Sequence, residues 1–342
     1  MIVVISHPAD LHAQRVTETL RARGREVFLL DLADLPRSAT LSIDPAGLGL
    51  AGQGKVTIRH TDRVVDLSSA SAVWWRRPQH VVLDDIGDPD ARGFAYGEWH
   101  EAIHGAYQLM PCPWMNPVHA DEIASHKAFQ LSVAPQVGLR VPETLMTSDA
   151  EAAQQFIARM EARGGRAVYK IFAATHQVWR ETRLVGPADL AHLPSLHLAP
   201  VIFQEYVPAV ADIRVTLVGG RVFAMSISGA PEVDFRLGLG RAQTAAFNLP
   251  AETATALQAL MERFGLAYGA VDLRLTADGE LVFLEINPAG EFLFVEAGAG
   301  HPVTEALADW LCNPTAAGGA AGGAVGGVAT PGAPLPVGGA LA

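Results

Sequence analysis

The stretch that decides the reading is Tyr268–Gly290, YGAVDLRLTADGELVFLEINPAG. Asp278-Gly279 is a type I′ turn signal between two runs of alternating apolar residues, so the segment reads as a β-hairpin. With those two residues as the loop, Ala277 pairs with Glu280. Counting outward sets Leu275 opposite Val282, Leu273 opposite Leu284 and Val271 opposite Ile286. That side is wholly apolar and belongs to a core. On the other side Asp272 falls opposite Glu285, with Asn287 two residues further along the same face. Directly opposed carboxylates, about 5 Å apart, repel each other. A hard divalent cation offsets that repulsion, and two carboxylates with an amide oxygen suit magnesium that also holds phosphate. A solvated polar face screened by water is the other explanation, and the hairpin alone does not choose between them.

Residues elsewhere turn the balance towards the metal. Lys170 sits in the strand AVYKIF (167–172), an awkward place for an ammonium unless an anion meets it. Lys127 rides a helix that begins near Asp121. IFQEYV (202–207) ends in a polar pair followed by Pro208, as a linker between lobes would. Asp212 and Arg214 begin the next strand, and Arg236 and Arg241 lie in the loop after it. These are the cations and carboxylates that phosphoryl transfer to a carboxylate requires.

The chain around them has the composition of an ordinary globular protein. Its 342 residues suit two or three lobes better than one core. A net charge of -11 argues against a general nucleic-acid binder. Cys112 and Cys312 lack any CxxC partner, so no disulfide framework or cysteine zinc site is expected, and a reducing cytoplasm fits. The apolar start lacks a basic n-region and reads as a first strand, not a signal peptide. No apolar run approaches membrane-spanning length.

The order strand (IVVIS, 2–6), helix (Leu11 to Arg23, closed by Gly24), strand (EVFLLDL, 26–32) opens an α/β unit. TLSI, KVTIRH and RVVDL then form hairpins, followed by the strand SAVWW and a helix from about Gly97 to Met110. Beyond the Lys127 helix, closed by Gly138, come the strand VPETLMT, a helix from Glu151 to Arg163, and the strands RAVYKIF and VIFQEYV. Two hairpins in succession and a helix from Val303 to Leu311 complete the pattern. After Asn313 the chain is Gly-, Ala-, Val- and Pro-rich without a charge, and is expected to be disordered.

Two motifs are tested by their context. Gly47, Gly49 and Gly52 match GxGxxG, and Gly49 to Lys55 nearly matches a P-loop. Both need a helix to follow, whereas Lys55 leads into the strand VTIRH, and Val56 occupies the Ser/Thr position. A hairpin loop is expected. His100, Glu101 and His104 form HExxH, which on a helix would give two zinc ligands and a base. The metzincin extension is missing, since Tyr107 and Met110 replace its Gly and His, so Glu122 or His119 would have to supply the third ligand. A zinc metallopeptidase is therefore an alternative reading.

From about Asn116 to Cys312 the chain resembles the ATP-grasp ligases, in detail those that mature ribosomal peptides, the microviridin or graspetide synthetases. It is also similar to the ribosomal-protein glutamate ligases. The matching stretches are HKAFQLSVAPQVGLRVPETL, VYKIF, QEYVPAVADIRV, DFRLGLGR and GAVDLRLTADGELVFLEINPAGEFLFVE. VWWRRP (73–78) looks closer to the peptide maturases. The resemblance implies a pre-ATP-grasp α/β domain over 1–115 and an α+β ATP-grasp domain over 116–312. The latter would divide into lobes of about 121–204 and 205–312 that clamp ATP. It implies that Lys127 and Lys170 contact phosphates, that Glu205, Tyr206 and Val207 form the adenine-side hinge, and that Asp212 lies near the ribose. Arg214 and Arg236 would stabilise the transferring phosphoryl group, and Asp272, Glu285 and Asn287 would hold Mg2+. The implied activity is ATP-dependent ligation of a carboxylate to an amine or hydroxyl through an acyl phosphate, on a leader-bearing precursor peptide. Addition of a free amino acid is the alternative, and a homodimer fits the family. The loop after Lys170, FAATHQVW, departs from the pattern, having no glycine. Arg76 and Arg77 read as solvated arginines at a strand end, with a role at most in substrate docking.

Overall fold

The computed structural model describes residues 1–46, 54–172, 181–229, 233 and 240–314. The glycine run at 47–52, Arg236, most of the loop after Lys170 and the uncharged tail from 315 lie outside the described residues. The first unit is a parallel sheet, ordered β2-β1-β6-β7, of β1 (Ile2–Ile5), β2 (Val27–Leu30), β6 (Ala72–Trp75) and β7 (Trp114–Met115). Its crossover helices are α1 (Leu11–Ala22) and α2 (Pro89–Gln108). An antiparallel sheet of β3 (Ala39–Asp44), β4 (Lys55–His60) and β5 (Val64–Asp66) is inserted between β2 and β6. β3 and β4 pair antiparallel, from Ala39 opposite His60 to Asp44 opposite Lys55; the hairpin loop expected for the glycine-rich segment falls outside the described residues.

Two short helices follow, α3 (Val118–Ser125) and α4 (Lys127–Val133), broken at His126, so that Lys127 opens the second. A four-stranded sheet, β10-β9-β11-β8, is built from β8 (Thr144–Thr147), β9 (Ala167–Lys170), β10 (Arg183–Leu184) and β11 (Val201–Glu205). Helices α5 (Ala150–Ala162) and α6 (Pro187–Leu190) accompany it. The last sheet, β14-β13-β12-β15-β16, comprises β12 (Ala211–Val218), β13 (Arg221–Ser228), β14 (Gln243–Ala246), β15 (Tyr268–Leu275) and β16 (Leu281–Asn287). Helix α7 (Ala251–Phe264) lies between its hairpins, and α8 (Leu293–Ala299) and α9 (Val303–Cys312) close the chain. Among the described residues, no helix is long and apolar enough to cross a membrane.

Several helices differ from the sequence expectation, the one carrying Lys127 by its break at His126. Helix α2 starts at Pro89, well before Gly97, because Asp88 caps it by accepting from the Asp90 and Ala91 N–H groups at 2.8 and 3.1 Å. Helix α7 interrupts the expected succession of two hairpins. Its signal is present: Leu257, Leu260, Met261 and Phe264 fall on one buried face, and Gly265 closes the helix at φ +70°.

The decisive hairpin also departs in detail. Thr276 N–H bonds to Glu280 O at 2.9 Å, and Gly279 adopts φ +87°, so the loop has three residues, not two. That shifts the inner pairs: Leu275 faces Leu281, and Leu273 faces Phe283. A bulge between Asp272 and Leu273 absorbs the extra residue, Leu284, and restores the expected pairing of Asp272 with Glu285. Leu284 thereby leaves the core side and lines the cleft.

One apolar core joins the first sheet to the end of the chain. Ile2, Val4, Val16, Leu20 and Trp74 pack with Phe292, Val295, Leu307 and Trp310. A second core lies under the last sheet, around Val271, Leu273, Phe283, Ile286 and the buried face of α7. The central sheet has a smaller core of its own, around Phe156, Ile157, Met160 and Phe203.

Candidate active site

The cleft between the central and last sheets has a volume of about 810 Å³. Ten side chains singled out from the sequence line it: Lys127, Lys170, Glu205, Tyr206, Val207, Asp212, Arg214, Asp272, Glu285 and Asn287. Arg236, the other one, lies outside the described residues.

Strand pairing explains the convergence. Asp212-Ile213-Arg214 on β12 runs antiparallel to Asp272-Leu273-Arg274 on β15, so each acid meets the other strand's base. Arg214 donates to both oxygens of Asp272, at 2.8 and 3.0 Å, and Arg274 Nε donates to Asp212 at 3.0 Å. Arg274 also donates to Val207 O at 3.0 Å and lies over the Tyr206 ring, 5.6 Å from its centre, which fixes the segment between the lobes. Lys127 pairs with Glu285, whose other oxygen accepts from the Asn287 amide at 3.2 Å. Burial pushes the Glu285 carboxyl up, but Lys127 and Lys170 outweigh it and hold the group at about 2. The repulsion between Asp272 and Glu285 is therefore already offset by the protein's own cations, Arg214 and Lys127, a third possibility beside the metal and the solvated face considered from the sequence. The set of hard oxygens itself is intact.

The loop that follows Asn287 is fixed from several directions. Gln130 donates to Ile286 O at 2.8 Å and accepts from Ile286 N–H at 3.0 Å, which pins the strand between Glu285 and Asn287. Asn116 donates to Tyr268 O and Pro288 O, and accepts from the N–H groups of Ala267 and Tyr268. Tyr268 OH donates to Gly290 O at 2.8 Å. Arg76 is not solvated: it is 1% exposed, pairs with buried Asp10 at 3.1 Å and donates to the Ala289 and Gly290 carbonyls. Its neighbour Arg77 pairs with Glu291 at 3.1 Å at the cleft edge. A Cβ on Gly290 would stand 2.4 Å from Ala270 Cβ and 2.8 Å from Arg214, so this position admits only glycine without rearrangement.

Gln130, Asn116, Arg76 and Arg274 were not singled out from the sequence as site residues. Arg274 was within reach, because alternation puts it on the Asp272 face. Nothing local distinguishes the other three from surface polar groups.

The HExxH residues lie apart from this cleft. His100 and His104 stack at 4.2 Å between ring centres on the exposed side of α2. Among the described residues, no group of three or more His, Cys, Asp or Glu converges as a metal site, so the required third ligand is not there.

Comparison with known families agrees with the cleft. Residues 1–122 match the MvdD pre-ATP grasp domain and residues 124–311 the RimK-like ATP-grasp domain. The chain belongs to the RimK-like ATP-grasp family. It is an ATP-grasp ligase, an enzyme forming C–N or C–O bonds, and its fold is one that binds ATP. The chain is similar to the macrocyclase MdnC bound with precursor peptide MdnA from Microcystis aeruginosa, with 31% identity and TM-score 0.80 over 91% of this chain and 99% of that one. It is also similar to the ATP-grasp ligase PsnB complexed with minimal precursor, Mg and ADP, with 27% identity and TM-score 0.73 over 92% of this chain and 98% of that one. Among curated proteins, a probable alpha-L-glutamate ligase of Thioalkalivibrio sulfidiphilus is 25% identical over 91% of this chain and 94% of its own length.

Proposed function

We propose that this ATP-grasp ligase forms amide or ester crosslinks in a ribosomally made precursor peptide, activating a side-chain carboxylate as an acyl phosphate. The observation that carries the chemistry is the cleft itself, where Asp272, Glu285 and Asn287 share one face with Lys127, Lys170 and Arg214 around them. Two carboxylates and an amide supply hard oxygens of the kind magnesium takes, so the residues fit Mg2+ bound with ATP. When bound, the ion would neutralise charge on the transferring phosphate. Lys127 and Lys170 are assigned to the nucleotide phosphates, Glu205, Tyr206 and Val207 to the adenine edge, and Asp212 to the ribose side. Arg214 and Arg236 would stabilise the acyl phosphate as charge develops.

The peptide substrate is supported by the likeness to the macrocyclase MdnC over nearly its whole length. The glutamate-ligase names of the curated relatives favour a second reading, addition of a free amino acid. Mass spectrometry of a precursor peptide after incubation with enzyme and MgATP separates the two. Crosslinking removes one water per bond, whereas amino-acid addition raises the mass. MgATP should also raise the melting temperature, because a ligand bound only by the folded state stabilises it. No nucleotide effect on melting, together with an unchanged peptide mass, contradicts the proposal. A cytoplasmic location and a homodimer complete the reading, the latter measurable by light scattering.

A further inference from the structure

Joining an acyl phosphate to an acceptor requires one step that the residues above do not perform. The attacking hydroxyl or amine must give up a proton as its oxygen or nitrogen bonds to the acyl carbon. Most carboxylates lining the cleft are already held by a donor. Asp212 is held by Arg274, Asp272 by Arg214, Glu285 by Lys127 and Glu291 by Arg77, while Glu205 accepts from the Glu143 N–H at 3.2 Å. A carboxylate tied to a cation is a poor base.

Asp121 differs. It stands in the first turn of α3 and lines the cleft with Arg77, Lys127, Asn287 and Pro288. Its Oδ2 is buried and has no hydrogen-bond partner among the described residues. Trp75, at the end of β6, and Arg76, which follows it, are the groups that favour the ionised carboxyl. Lys127 on α4 and Glu285 on β16, the elements packed against α3, share its side of the cleft but are paired with each other.

We propose that Asp121 is the general base of ligation, taking the proton from the acceptor as the new C–O or C–N bond forms. The bond between the acyl carbon and the phosphate oxygen breaks with its electron pair on the phosphate. The proton held by Asp121 then passes to that phosphate, leaving ester or amide and hydrogen phosphate with no further reactant. Burial raises this carboxyl to about 7, although Trp75 and Arg76 act in the opposite direction. A base in that range is about half ionised near neutral pH and basic enough to accept the proton. The inference rests on the ligase reading above and adds the acceptor's side of the reaction to it.

The test is a ligation assay with precursor peptide and MgATP, with hydroxylamine as a competing acceptor. Hydroxylamine captures acyl phosphates without help from a base. Wild-type ligation should rise with pH through one ionisation near neutrality. Asp121→Asn should form ligated peptide about 100-fold more slowly or worse, lose that acid limb, and shift the ratio of hydroxamate to ligated peptide upward by a similar factor. Asp121→Glu should recover part of the rate with a displaced limb. The proposal is overturned if Asp121→Asn keeps the wild-type rate and limb. It is equally overturned if that variant, melting as wild type does, loses hydroxamate and ligated peptide in equal proportion. Should the variants not fold, a wild-type profile flat around neutrality overturns it. If wild type yields neither hydroxamate nor ligated peptide, the ligase reading fails first and takes this inference with it.

Discussion

The two walls of the cleft are built differently. The wall carrying Asp272, Glu285 and Asn287 rests on two cores, one of which runs into the first sheet and joins the beginning of the chain to its end. Its loop is bonded by Gln130 from α4, by Asn116 after β7 and by Arg76 after β6. The wall carrying Lys170 stands on a four-stranded sheet with its own small core, joined to the rest through the segment that Arg274 holds. Asp272, Glu285 and Asn287 are thus fixed by the stability of the molecule as a whole. Lys170 sits at the end of a strand in a nearly separate unit. Preorganised oxygens cost nothing to arrange at the moment of reaction, so substitutions on the first wall should affect folding and chemistry together, and on the second chemistry alone.

The largest effect expected is on turnover. If Lys170 meets phosphate as proposed, Lys170→Ala should lower it by about 10²–10³ through loss of that charge, with melting unchanged. Glu285→Gln should lower magnesium-dependent turnover as severely and also destabilise the metal-free protein, because Lys127 loses its partner. The depressed Glu285 carboxyl contributes stability above the ordinary carboxylate range, lost as pH falls towards about 2. Equal melting of both variants with wild type breaks the contrast.

Next comes the buried Arg76. Arg76→Met strands Asp10 without its cation, and should cost about 3–5 kcal/mol in denaturant unfolding. An effect of the size seen at exposed pairs would mean that the first sheet does not hold the loop. Gly290→Ala should follow, at about 1–3 kcal/mol from overpacking against Ala270 and Arg214, accompanied by lost turnover. Wild-type melting and turnover in that variant would remove the close approach as a constraint.

The smallest effect concerns His12, packed edge-on against Phe292 at 4.7 Å beneath the same loop. Burial and Arg76 lower it from 6.5 to about 4. The unfolded chain therefore binds the extra proton first, and the stability His12 contributes is present above 6.5 and lost as pH falls to about 4. His12→Gln should flatten the melting profile across that window. An unaltered slope would place the acid sensitivity elsewhere.

Much of this contrast was legible in the sequence. Alternation and a turn signal brought Asp272, Glu285 and Asn287 together, and the awkward place of an ammonium in the strand AVYKIF singled out Lys170 on the opposite wall. The hairpin pairing came out right at Asp272 and Glu285 because two departures cancelled: a loop one residue longer and a bulge at Leu284. Periodicity carries no information about a bulge. Arg76 was misread because strand-end arginines are usually solvated, and its acceptors, Ala289 and Gly290, lie more than two hundred residues away in the chain. Helix α7 was readable from its apolar spacing and its closing glycine.

The most direct test of the central claim follows an oxygen atom. A precursor peptide whose side-chain carboxylates carry heavy oxygen is ligated with MgATP, and the inorganic phosphate released is analysed by mass spectrometry. Activation as an acyl phosphate transfers one labelled oxygen to phosphate for each bond made. Ligation that releases unlabelled phosphate would contradict the account.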